Sequence, residues 1–114
     1  MQIHKFEGTL SYIDYAGRLR IVPHEDQRTT LKTRLKTLGV PHDYTGEFAV
    51  QLPAPYAKSA ARDPTTVPAD IQQLIGLAVI IHVKPRKYSF KNAQGQHVTG
   101  ARLILQNIVR SIII

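Results

Sequence analysis

The sequence has no cysteine, which excludes disulfides, zinc–thiolate sites and thiol catalysis and fits a reducing interior. It has no apolar run approaching the roughly 20 residues that a membrane helix needs. The N-terminal stretch MQIHKFEGTLSY reads neither as a signal peptide nor as a lipidation site. A soluble, intracellular protein without a membrane partner is therefore expected. The most telling absence is of negative charge. Residues 1–70 hold nine Lys/Arg and all eight Asp/Glu, whereas residues 71–114 hold six Lys/Arg and no acid. A third of a domain without any counter-charge points to a surface that meets an anion; the bland alternative is a generic basic surface.

Catalytic patterns are missing as well. His4, His24, His42, His82 and His97 are scattered, with no HxH, HxxxH or HExxH spacing that would aim two imidazoles at one metal. There is no GxxxxGK[ST] loop and no nucleophile elbow, and the acids are dispersed through turns and helix starts. No enzyme, metal or cofactor is expected.

What is present fits one domain over residues 1–114, with an ordinary apolar fraction of 43% and enough length for a modest core. Ile3 to Tyr15 reads as a long strand, with Phe6, Leu10 and Tyr12 on one parity and Gly8 marking a bulge or a sharp barrel bend. Gly17 suits a positive-φ turn position, and Arg18 to Val22 alternates, Leu19 and Ile21 against Arg18 and Arg20. Residues 25–38 predict a helix with Leu31, Leu35 and Leu38 on its apolar stripe. Beside that stripe run Arg28, Lys32 and Lys36, four apart, either a solvated flank or a groove wall. Tyr44 to Pro53 predicts a third strand, and residues 53–67, rich in Pro, Ala and Thr, a long mobile loop. A short helix follows, with Pro68 in its first turn, Ile71, Leu74 and Ile75 packing, and Gly76 as its stop. LAVIIHV predicts a largely buried fourth strand. A turn at Asn92 to Gln96 leads to a fifth strand with Ala101, Leu103, Leu105 and Val109 on one parity. Strand, strand, inserted helix, strand, short helix, strand, strand is the order of a mainly-β, five-stranded, partly open Greek-key barrel.

Between the last two strands lies KPRKYSFKNAQGQ, where Lys84, Arg86, Lys87 and Lys91 surround Tyr88 and Phe90. Single-stranded nucleic acid offers phosphates and exposed base faces, and a binder without sequence preference needs cations plus rings. In an extended arm Arg86, Tyr88 and Phe90 share one face and Lys87 and Lys91 the other. Either ring could instead cap the barrel core.

Residues 68–108, PADIQQLIGLAVIIHVKPRKYSFKNAQGQHVTGARLILQNI, resemble the second half of an OB-fold single-stranded-DNA-binding protein. The shared pieces are a helix ending in Gly76, the strand Leu77 to Lys84, a basic aromatic hairpin with a polar GQ tip, and the aliphatic strand Ala101 to Val109. The first 70 residues match by strand order only. The chain has no tryptophan and no acidic tail, and it adds the helix at 25–38, which favours a divergent member of the kind phages, viruses and plasmids carry. The resemblance implies binding and protection of single-stranded DNA in replication, recombination or transfer. It also implies that the face of strands two and three carries ligand, making Arg18 and Arg20 candidates after the arm. Tyr12 and Tyr15, near the same turn, could add a stacking platform, although the parity Tyr12 shares with Phe6 and Leu10 equally suits a core residue. Arg102 is a weaker candidate, and Lys32 and Lys36 count only where the inserted helix lines the groove. Single-stranded RNA and a structural OB module of a larger assembly remain the alternatives. A homo-oligomer, a dimer first, is expected, and the terminal SIII reads as a strand pairing with the barrel or with a second subunit, or as a truncation point.

Overall fold

The computed structural model describes residues 2–54 and 56–111. Ile112, Ile113 and Ile114 lie outside the described residues, and with them most of the SIII segment. The elements run β1 (His4–Ile13), β2 (Leu19–Val22), α1 (Arg28–Leu38), β3 (Phe48–Gln51), α2 (Tyr56–Arg62), α3 (Ala69–Gln72), β4 (Ala78–Lys91) and β5 (His97–Arg110). The strands close into a barrel in the order β1-β2-β3-β5-β4, with β4 returning to β1. β3 and β5 run parallel, Val50 opposite Leu103, and every other pair is antiparallel. This is the five-stranded OB-fold barrel with an inserted helix, as the strand order predicts.

Alternation dictates the core. β2 turns Leu19 and Ile21 inward, β3 contributes Phe48 and Val50, and β4 and β5 contribute Val79, Ile81, Val83, Ala101, Leu103 and Leu105. The apolar run LAVIIHV is thus not buried on both faces: Ala78, Ile80 and His82 point outward and are only half-buried. α1 adds Leu31 and Leu35, and its Arg34 guanidinium sits 4.2 Å above the Phe6 ring. It begins as a 3-10 turn over Glu25–Gln27 and ends at Gly39, whose φ of 79° is the left-handed cap expected there.

Two bulges overturn the parity read from the sequence. In β1 the register jumps from Leu10 opposite Ile21 to Tyr12 opposite Arg20, leaving Ser11 unpaired. The extra residue flips the strand, so Phe6 and Leu10 face the core while Tyr12 turns outward beside Arg20. The second lies in β5, where the register passes from Asn107 opposite His82 to Leu105 opposite Val83 and skips Gln106. Ile108 therefore packs against the core, and Val109, expected inside, is exposed opposite Ile80.

Gly8 is not the bulge but a point of close approach. A Cβ there would lie 2.6 Å from the Val22 carbonyl oxygen and 2.9 Å from Ile21 Cγ2. Because the nearest atom is backbone, Gly8→Ala is expected to destabilise the fold by about 1–3 kcal/mol, the usual range for overpacking. Urea unfolding of the variant checks this.

Three further expectations change. The third strand shortens to Phe48–Gln51, because the Asp43 carboxylate gathers the Thr45 and Glu47 amides into a turn that leaves Tyr44 exposed. The segment 53–67 is not a long loop. It holds α2 and a 3-10 turn over Pro64–Thr66, capped by Asp63 accepting from the Thr65 amide. YAKSAAR contains three alanines and no glycine, proline or β-branched residue, so local propensity favours the helix. Ala60, fully buried, seats α2 on Gly17, whose φ of 75° and contact with the Ala60 backbone leave no room for a side chain. In α3, Pro68 takes the N-cap rather than the first turn; Ile71 is buried and Leu74 packs on the core, but Ile75 is exposed.

Candidate nucleic-acid interface

β4 and β5 do not stop at the barrel. They continue as a two-stranded ribbon past Pro85, which sits opposite Leu103, out to Lys91 opposite His97. The tip is tied by Asn92, whose Oδ1 accepts from the Gln94 and Gln96 amides, with Gly95 at φ 77°. Cross-strand pairing fixes the faces. Lys84, Arg86, Tyr88 and Phe90 share the outer face with Arg102, while Lys87 and Lys91 occupy the opposite one.

Arg86 lies directly across from Arg102. Like charges in that position repel, so the pair is a fixed cost to the ribbon unless an anion sits between them. Among the described residues, none of Lys84, Arg86, Lys87, Lys91, Arg102 and Arg110 has a carboxylate within salt-bridge distance; the ion pairs found all lie between residues 5 and 47.

Neither arm ring belongs to the core. Tyr88 and Phe90 stack on each other with centroids 6.1 Å apart and planes 20° apart. The Arg102 guanidinium lies 5.2 Å from the Tyr88 ring. Tyr88 rests across Gly100, its strand partner, and is half-buried, while Phe90 is 51% exposed. A Cβ at Gly100 would lie 2.7 Å from Tyr88 Cζ. Gly100→Ala is therefore expected to lift the Tyr88 ring off the strand without unfolding the barrel. NMR of the Tyr88 ring protons beside a thermal melt checks it.

Beside the arm a groove of about 580 Å³ crosses the outer face of the barrel. Arg20, Ala49, Gln51 and Arg102 line it from the strands, Arg18 from the turn just before β2, Tyr88 and Phe90 from the arm, and Ala57 and Ala61 from α2. The structure thus brings Arg18, Arg20, Tyr88, Phe90 and Arg102 together around one groove, with Lys84 and Arg86 on the same face of the ribbon. Lys87 and Lys91 stand behind that face. Tyr15 is almost fully exposed in the β1–β2 turn and does not line the groove. Tyr12 is 45% exposed and donates its hydroxyl to Glu47 Oε1 at 3.2 Å. Lost solvation and that carboxylate hold its phenol above the usual value, so it stays a protonated donor at neutral pH. Lys32 donates to the Tyr44 carbonyl, and neither it nor Lys36 lines the groove.

The alanine wall of α2, Gln51 and the seat at Gly100 are absent from the sequence-based candidates. Small residues carry no signal of their own, and only the closed barrel brings them to the groove.

No protein-family model matches the chain, and no curated protein matches it significantly. Among solved structures it is similar to the mitochondrial single-stranded DNA binding protein Rim1 of S. cerevisiae. One crystal structure of Rim1 gives 12% identity and a TM-score of 0.46, covering 95% of this chain and 90% of that one. A selenomethionine-labelled one gives 13% identity and a TM-score of 0.45, covering 96% of this chain and 93% of that one. The fold assignment rests on the strand pairings above.

Proposed function

We propose that this chain binds single-stranded DNA with little sequence preference and protects it in replication, recombination or transfer. It acts by phosphate neutralisation and base stacking, without chemistry. The observation that carries the reading is the single outer face on which Lys84, Arg86 and Arg102 adjoin Tyr88 and Phe90, in a part of the chain without any acid. Cations there follow the backbone while the exposed Phe90 ring takes a base, and Arg18 and Arg20 extend the cationic track across the groove. In this reading the protein is a divergent, phage-, virus- or plasmid-type member of its class, working inside the cell as a homo-oligomer, a dimer first.

A titration of fluorescent oligo-dT, single-stranded RNA and duplex DNA at two salt concentrations tests it. Tight, salt-sensitive binding of dT with weaker binding of duplex is the expected result. Tighter binding of RNA would move the reading to RNA, since stacking and phosphate contacts do not report on the 2′-hydroxyl. Binding of none of the three would leave a structural module of a larger assembly.

A further inference from the structure

Asp14 is the only buried charged or polar residue found among the described residues, 6% exposed, and it lies beside a groove assigned to a polyanion. By Coulomb repulsion alone an acid there is out of place. Its contacts divide between its two oxygens. Oδ1 accepts from the Ala16 and Arg18 amides, each at 3.0 Å, and holds the β1–β2 turn. Oδ2 accepts from Arg18 Nε and Arg20 Nε, each at 3.1 Å. Both arginines are thus gripped by the Nε edge. Among the described residues, no hydrogen-bond partner is found for their terminal guanidinium nitrogens, and both side chains line the groove.

We propose that Asp14 is a positioning residue, which sets Arg18 and Arg20 as a paired clamp for a phosphodiester in the groove. The proposal rests on the nucleic-acid reading above and deepens it. One buried carboxylate oxygen holds two cationic forks side by side, cancels part of their mutual repulsion and leaves their free edges to a phosphate oxygen. Glu47 is the other acid nearby. Its Oε1 is 3.9 Å from Arg20 Nε, beyond hydrogen-bond reach, and accepts from the Tyr12 hydroxyl instead. Glu47 therefore does not replace Asp14 as the holder of Arg20.

Asp14→Asn separates the two roles. An asparagine keeps an acceptor for the turn, but its amide, in place of Oδ2, cannot accept from either Nε–H. The variant also removes a negative charge, so simple electrostatics predicts tighter DNA binding. The clamp predicts the reverse: affinity for oligo-dT falls by about tenfold, the cost of ordering two rotamer-rich side chains on binding. In an Arg18→Gln/Arg20→Gln background, Asp14→Asn should cause no further loss of affinity, because the side chains it positions are gone. Nitrogen-15 NMR of the free protein reads the clamp without DNA, as slowly exchanging Nε–H signals of Arg18 and Arg20 that are lost in Asp14→Asn. A folded Asp14→Asn that binds dT as tightly as the natural chain, or more tightly, overturns the proposal but leaves the nucleic-acid reading standing. So do fast-exchanging Nε–H signals in the natural chain. Failure of the natural chain to bind dT removes both. If Asp14→Asn does not fold, the double arginine variant decides, with a loss of about tenfold or more expected and unchanged affinity contradicting the clamp.

Discussion

Replacing Tyr88 and Phe90 together with alanine is expected to cost about 1–3 kcal/mol of oligo-dT binding for each ring that stacks a base. The fold should survive, because neither ring belongs to the core and the ribbon is held by its backbone pairing and the Asn92 turn. The two rings should not contribute equally. Tyr88 lies across Gly100 with Arg102 beside it, so much of its surface is already taken, whereas Phe90 is open. Phe90→Ala alone should therefore carry the larger share, and Tyr88→Ala should act partly by leaving Phe90 and Arg102 unsupported. Fluorescence anisotropy with labelled dT measures both. A folded double variant with normal affinity would mean that the arm is not the gripping element.

Affinity for dT should also fall steeply with salt. Each neutralised phosphate on a single strand contributes about −0.7 to the slope of log K against log salt, so five contacts imply a loss of about a hundredfold between 50 and 200 mM. Arg86→Gln with Arg102→Gln should flatten that slope by about 1.4 in all. It should also relieve the cross-strand repulsion between them, so that DNA binding weakens while thermal stability holds or rises. Lys87→Ala reports on the other face of the ribbon. A flatter slope there means that the strand wraps the arm, and an unchanged one confines it to the groove side. Salt titrations of the three proteins separate these outcomes.

Much of this was legible in the chain. The strict alternation of Arg18 to Val22, the cap at Gly39, the Asn92 to Gln96 turn and the acid-free arm all appear where local chemistry puts them, because each depends on residues within a few positions. The barrel order followed from the order of the strands. The faces of Tyr12 and Val109 did not follow, since one extra residue at Ser11 or Gln106 inverts a period of two and leaves no mark in composition. The helix at Tyr56–Arg62 was obscured by the prolines around it. The sequence separates Asp14 from Arg18 and Arg20 by only a few positions, yet which oxygen serves which donor is a matter of three-dimensional geometry. Gly100 carries no side chain, so its role as the seat of Tyr88 became visible only with the ribbon paired.

In the proposed function, one face of the barrel and its arm receives the strand. Nitrogen-15 chemical-shift mapping during a dT titration tests it most directly. The predicted result is perturbation of the amides of residues 86–90 and 100–103, together with Arg18, Arg20 and Gln51. Perturbation confined to the outer face of β1 and β4, at Lys5, Glu7 and Ile80, or to α1, would contradict it.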